Sequence, residues 1–332
     1  MKRAIFGLLA FLVVAGCGQQ TQETAPSSTS EGGTEATAPA EGRLSFAVIP
    51  KGLTHQFWLT VKKGAETAGN EFGIDIIWIG PKEETDVIPQ INIVEDMIGR
   101  GVDAIVMAAC DQDALIDVIE RAQGKGIPVV TIDSGVNSDV PVSFVATDNV
   151  AGAEAAAREL AKLIGEAGPV GLIPFVKGAA TSELREEGFK KGIAEFPNIN
   201  IADIQHCQSD VNKAMNVTED MLTAHPDMKG LFATNEPAAI GAVQSVEAAG
   251  RAGEFKIVAF DASPDEITAL ERGTIHALIV QNPFNMGYLG VKSAYDHLQG
   301  SPVEKRIDTG VEVITKENLN DPEIQKLLNP LG

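Results

Sequence analysis

The chain has 332 residues, of which 44% are hydrophobic and 22% charged, and it carries a formal net charge of −20. That length accommodates two domains of ~100–200 residues each, and the apolar content is that of an ordinary globular protein. The acidity argues against nucleic acid or an anionic membrane surface as a partner, since both demand basic patches.

The chain opens on Lys2-Arg3, followed by an apolar run from Ile5 to Val14 that is too short to span a bilayer comfortably. The run ends at Val14-Ala15-Gly16-Cys17. Small residues before a cysteine at this point resemble the lipobox of bacterial lipoproteins, which implies that residues 1–17 are a signal peptide and that Cys17 is lipidated. Residues 18–42 are rich in Gln, Thr, Ser, Glu, Ala, Gly and Pro, with no large apolar side chain, lysine or arginine before Gly42. Such a stretch cannot bury enough surface to offset its ordering entropy, so a disordered tether is expected. The expected location is the periplasm or the outer face of the cell membrane, with the membrane touched only through the lipid.

From Leu44 onward, short β-branched runs alternate with helical patterns. Strands are predicted at Ser45–Ile49, Asp75–Ile79, Ala104–Met107, Val129–Ile132 and Ser143–Val145. A second series is predicted at Val170–Ile173, Ile201–Ile204, Leu231–Ala233, Lys256–Phe260, Ala277–Val280 and Val311–Ile314. The runs are apolar on both faces, as in parallel sheets covered by helices, and the alternation calls for βαβ units. So many strands imply two lobes, with a first break near Thr147-Asp148. Asp148 and Asp210 precede helical patterns as caps, and Gly101, Gly165 and Gly250 follow them as stops. Cys110 and Cys207 lie in different halves without metal-ligand spacing. They are expected to be free, buried thiols, and no metal or other cofactor is expected.

The first strand-to-helix turn holds Lys51, His55, Phe57 and Trp58. In open α/β sheets ligands bind at such turns. An aromatic pair there serves as a stacking platform or fills core.

Several segments together carry a family resemblance. They are Pro128-Val129-Val130-Thr131-Ile132-Asp133, Ala146-Thr147-Asp148-Asn149, Leu222-Thr223-Ala224-His225-Pro226-Asp227, Phe232-Ala233-Thr234-Asn235-Glu236 and Val258-Ala259-Phe260-Asp261-Ala262-Ser263-Pro264-Asp265, with Arg185–Phe189 and Gln281. From Leu44 to Ile314 the chain resembles the ribose-binding-protein group of periplasmic sugar-binding proteins (periplasmic binding protein type 1 fold). The resemblance implies an α/β fold of two similar lobes, each a parallel sheet with helices on both faces, joined by a three-crossing hinge. The implied N-terminal lobe is residues 44–147 plus 282–310. The implied C-terminal lobe is 148–281 plus 311–332.

The implied function is that of a substrate-binding protein of an ABC importer, not an enzyme. It would capture a monosaccharide or related polyol and present it to the inner-membrane permease as a monomer. A chemoreceptor or sensor is a further implied partner.

In this group two aromatics of the first helix stack on the sugar ring, which corresponds to Phe57 and Trp58. Asp133 then matches an aspartate that accepts hydroxyl bonds. Arg185, Asn235, Asp261 and Gln281 match the polar set of the far lobe, each hydroxyl needing both a donor and an acceptor. Taken singly, Asp133, Asp261 and Asn235 also suit turn or capping roles. The chain departs from the group at four places: Lys51 replaces a serine, His55 an asparagine, Ser134 an arginine and Ser209 an aromatic residue. A cation is lost at 134 and one gained at 51, so Lys51 is expected to reach the cleft in place of the missing arginine. Ile49-Pro50-Lys51, Gly80-Pro81 and Asp133-Ser134 also resemble the branch that binds rhamnose or the quorum-signal autoinducer. A deoxysugar or that signal is the alternative ligand.

Overall fold

The computed structural model describes residues 42–330. The expected leader with Cys17, and all of the expected tether but Gly42, lie outside the described residues. In chain order the first elements are β1 (Ser45–Ile49), α1 (Gln56–Phe72), β2 (Asp75–Trp78), α2 (Val87–Arg100), β3 (Ala104–Met107), α3 (Ile116–Gly124), β4 (Val129–Ile132) and β5 (Ser143–Ala146). Next come α4 (Asn149–Leu163), β6 (Gly168–Ile173), α5 (Ala180–Ile193), β7 (Ile199–Ile204), α6 (Val211–Ala224), β8 (Gly230–Ala233), α7 (Glu236–Ala248), β9 (Lys256–Phe260), α8 (Pro264–Arg272) and β10 (Ala277–Val280). The chain continues with α9 (Pro283–Leu298), β11 (Arg306–Asp308), β12 (Glu312–Ile314) and α10 (Pro322–Leu328).

The strands form two six-stranded sheets, ordered β11-β5-β4-β3-β1-β2 and β12-β10-β9-β8-β6-β7. All pairings are parallel except β10 with β12. Each sheet is therefore the same doubly wound pattern used twice. The chain passes from one sheet to the other after β5, after β10 and between β11 and β12. Helix α9 returns to the first sheet, against α1, β4 and β5.

Both faces of each sheet are buried, and the period-2 alternation of strand side chains decides which core each residue joins. Val258 and Phe260 join the α4–α5 side, whereas Ile257 and Ala259 join the side of α6, α7 and α8. Phe46 and Val48 likewise face the α1–α9 core, and Ala47 and Ile49 the opposite one. Helices α1 and α9 approach through glycine. A Cβ at Gly64 would lie 1.9 Å from the Phe284 carbonyl oxygen, and one at Gly287 2.0 Å from that of Val61.

The expected caps form: Asp148 accepts from Ala151 N at 3.0 Å and Asp210 from Lys213 N at 2.8 Å. Gly101, Gly165 and Gly250 all take positive φ where helices stop. Strand β11 and helix α10 are absent from the sequence reading. The physical reason for the strand is plain: Arg306 and Asp308 are exposed and only Ile307 is partly covered, so no apolar run marks it. Both remaining cysteines are free and buried. Burial pushes the Cys110 thiol far up and that of Cys207 up to about 12. Among the described residues no helix is long and apolar enough to cross a membrane.

Candidate functional site

The carboxyl ends of the two sheets face each other, so the loops that follow β1, β2, β4, β6, β8, β9 and β10 meet in one cleft. The cleft is narrow, with about 290 Å³ of empty space that includes its opening to solvent. Two other hollows, beside the β10–α9 crossing and between α6 and α7, bring together no comparable set of buried charges.

The sequence-predicted residues Lys51, His55, Phe57, Trp58, Asp133, Arg185, Asn235, Asp261 and Gln281 all line the cleft. Ser134 and Ser209 do not. Ser134 is wholly buried, its carbonyl taking the Ala109 N–H at 3.0 Å. Ser209 lies behind the wall, donating to Glu84 Oε2 at 2.8 Å and accepting from Asn235 Nδ2 at 2.7 Å. The structure adds Glu84, Phe175, Thr181, Glu236 and Pro237 to the lining.

Each lobe contributes an aspartate directly after the fourth strand of its series. Asp133 follows β4 at φ 54° and Asp261 follows β9 at φ 84°. Non-glycine residues held in this region carry roughly 1–3 kcal/mol of strain each and gather at functional sites. Lys51 Nζ lies 3.1 Å from Asp133 Oδ2 and donates to Thr181 Oγ1 of the other lobe at 2.9 Å. It also sits over the rings of Phe175 (5.2 Å) and Trp58 (5.7 Å). Burial opposes the Lys51 charge, but the Asp133 and Glu84 carboxylates outweigh it and raise the pKa. The ammonium is therefore retained within a wholly protein-lined cleft.

In the second lobe, Arg185 donates from Nε to Asn149 Oδ1 at 2.8 Å and from Nη1 to the Thr234 carbonyl at 2.7 Å. Its guanidinium stands 3.8 Å from the Phe260 ring centroid. Burial lowers its pKa against the attraction of Asp261, Asp133 and Glu84. Asp261 accepts from Gln281 Nε2 at 2.7 Å and from Glu236 N at 3.1 Å; burial raises its pKa against the pull of Arg185. Asn235 does both jobs that its sequence allowed: it caps α7 by accepting from Ala238 N at 3.1 Å, and it lines the cleft. Buried polar atoms are almost always hydrogen-bonded. Here Asp133 Oδ2 and Gln281 Oε1 have no hydrogen-bond partner within the protein, the first despite its ion contact with Lys51. Both belong to cleft-lining side chains, so they are acceptors available to a ligand's hydroxyls.

On the aromatic side, Phe57 and Trp58 meet edge to face with centroids 4.8 Å apart. Trp58 fills core and lines the cleft at once, being 1% exposed. Its indole N–H donates to Glu84 Oε1 at 2.9 Å. Glu84 Oε1 also lies 3.6 Å from His55 Nδ1. Burial opposes the Glu84 charge, but Lys51, His55 and Trp58 outweigh it and hold the carboxylate below its usual range. For His55, burial is likewise outweighed, by Glu84 first and then by Glu236 and Asp261, so its pKa is raised.

A histidine with a raised folded pKa contributes stability below its unfolded value of about 6.5 and loses it as pH climbs through the folded pKa. The melting-temperature advantage of the wild type over His55→Gln is therefore expected to be level below about pH 6.5 and to shrink above it. A difference that grows with pH would contradict the pairing.

Among the described residues no cluster of three or more His, Cys, Asp or Glu is arranged to hold a metal ion. What the cleft offers chemically is an aromatic wall opposite carboxylates, amides and the Lys51 and Arg185 cations. That is a pattern for reading hydroxyl positions on a small ring.

Comparison with known proteins identifies the family and the fold. The family described as "Periplasmic binding protein domain" matches residues 46–302. A D-ribose/D-allose-binding protein of Pseudomonas aeruginosa is 34% identical over 292 residues, covering 84% of this chain and 91% of that protein. An ABC transporter solute binding protein from Agrobacterium vitis with bound D-fucose is 38% identical. It superposes with a TM-score of 0.83 over 85% of this chain and 98% of its own. A carbohydrate transporter solute binding protein from Agrobacterium radiobacter, in complex with D-arabinose, is 32% identical with a TM-score of 0.85, covering 87% of this chain and 100% of its own.

Proposed function

The chain belongs to the periplasmic binding protein domain family, and on that premise we propose that it captures one neutral monosaccharide or related polyol and presents it to the permease of an ABC importer. The observation that carries this reading is the convergence of Lys51, Asp133, Arg185, Asp261 and Gln281 opposite Phe57 and Trp58, with Gln281 Oε1 lacking a hydrogen-bond partner and Asp133 Oδ2 held by its ion contact with Lys51 alone. A carboxylate–hydroxyl bond is among the stronger hydrogen bonds, and an unmet buried acceptor costs about 1–3 kcal/mol, so a ligand with hydroxyls in the right places is favoured over one without. Four carboxylates (Glu84, Asp133, Glu236 and Asp261) face Lys51 and Arg185 across the lining. That balance disfavours sugar acids and phosphates.

In this reading residues 44–147 with 282–310 form one lobe and 148–281 with 311–332 the other, and the ligand favours their closed arrangement. The assigned ligand contacts are Lys51, His55, Phe57, Trp58, Asp133, Arg185, Asn235, Asp261 and Gln281, with Ser134 and Ser209 supporting them from behind. The protein acts as a monomer outside the cytoplasmic membrane, tethered through Cys17, and no chemistry is done on the ligand.

A thermal-shift panel tests the reading. Pentoses, hexoses, deoxysugars and polyols are compared, including D-fucose, D-arabinose, D-ribose and D-allose, with a uronic acid as the charged control. The true ligand stabilises the fold by about 2.7 kcal/mol at a hundredfold excess over its dissociation constant. The uronic acid is expected to have no effect. Stabilisation by the acid alone would overturn the reading.

A further inference from the structure

Helix α1, which carries the aromatic platform, begins without a cap of its own. Its N-cap residue His55 makes no side-chain capping bond, and its first turn holds no acidic residue. The missing cap comes from the other lobe. Glu236, at the start of α7, accepts from Gln56 N through Oε1 and from Phe57 N through Oε2, each at 3.2 Å. Both carboxylate oxygens are thus spent on orphan N–H groups at the positive end of α1.

A second carboxylate runs the opposite way. Glu84, in the first lobe's β2–α2 loop, accepts from Ser209 Oγ of the second lobe at 2.8 Å and from the Trp58 indole at 2.9 Å. Ser209 is itself held in the left-handed region, at φ 55°, and accepts from Asn235. Glu84 is 6% exposed and Glu236 9%.

We propose that Glu236 and Glu84 are positioning residues that latch the cleft reciprocally: Glu236 of the second lobe caps α1, and Glu84, which holds Trp58 within the first lobe, reaches Ser209 of the second, so that both cross-lobe bonds brace the Phe57–Trp58 platform only when the lobes are together. The inference rests on the sugar-binding reading for its consequence, since a ligand held against that platform leaves only after both latches part. Glu236 also donates its backbone N–H to Asp261, so the α1 cap is tied directly to a carboxylate of the sugar-facing set.

The test uses Trp78→Phe as the background, which leaves Trp58 as the sole tryptophan, and adds Glu236→Gln or Ser209→Ala. Glutamine keeps the shape of Glu236 but loses one acceptor and the charge. Acrylamide quenching of Trp58 reads the latch in protein saturated with the sugar that the thermal-shift panel selects. Stopped-flow release of D-fucose reads its effect on the complex. Both variants are expected to raise the quenching of Trp58 and to speed D-fucose release about tenfold, with association little changed. Quenching that stays at the background level in both variants would overturn the proposal, whatever happens to the melting temperature. Failure of D-fucose to bind the background protein would count against that sugar and leave the quenching result to decide the latch.

Discussion

Replacing Arg185 with alanine is expected to abolish sugar binding and to lower the stability of the fold by about 3–5 kcal/mol, the range for removing one partner of a buried charged network. The side chain is 2% exposed. Its loss strips a charged donor from Asn149 and from the Thr234 carbonyl, both buried, and empties the space against the Phe260 ring. It also removes the cation that offsets Asp261, whose pKa burial already raises. Arg185→Met separates these effects. Methionine refills much of the volume, so urea unfolding should show part of the stability restored while binding stays lost. Lysine at 185 should not rescue binding, because a compact ammonium cannot reproduce the planar fork that serves Asn149 and Thr234 together. Wild-type affinity in Arg185→Met would remove Arg185 from the site.

Replacing Lys51 with alanine is expected to weaken binding by about 2–5 kcal/mol, the cost of truncating one member of a buried hydrogen-bonded charge pair, or at least about thirtyfold in Kd. Lys51 is the lysine that faces the ligand from the first lobe in this reading. It holds Asp133 at 3.1 Å and reaches Thr181 of the second lobe at 2.9 Å. Without it Asp133 and Glu84 face each other's charge in a buried cleft, and the bridge to Thr181 is gone. The sequence reading that a cation lost at 134 is regained at 51 makes the same prediction. Full affinity of Lys51→Ala, measured by titration calorimetry, would contradict it.

The fold was legible because its signals are redundant. Each buried strand is apolar on both faces, and Asp148, Asp210, Gly101 and Gly250 punctuate the helices independently of the core pattern. Strand β11 escaped because three residues with charged ends carry no pattern; its pairing with β5 is decided by the chain's return to the first sheet. In the cleft, the residues that follow strands or open helices, such as Asp133, Asn235 and Asp261, were readable from position and from the family resemblance. Glu84 was not. It sits in Lys82-Glu83-Glu84-Thr85-Asp86, which reads as a solvated acidic loop, and only the fold brings it beneath Trp58. Glu236 was hidden for a different reason: an acidic residue in the first turn of its own helix already has a local explanation, so nothing in the sequence points to α1. Phe175 and Thr181 lie in the stretch after β6, whose path across the cleft depends on how the two sheets face each other.

The central claim, that both lobes jointly hold one neutral sugar, is tested most directly by calorimetric titration of the wild type and of Asp133→Asn and Asp261→Asn with D-fucose, D-arabinose, D-ribose and D-allose. One substitution lies in each lobe, and each keeps the side chain's shape while removing its charge. The expected result is saturable binding of one sugar per chain by the wild type, weakened at least tenfold by either substitution. No saturable binding of any of these sugars or of the wider neutral panel, or binding that survives both substitutions unchanged, would contradict the account.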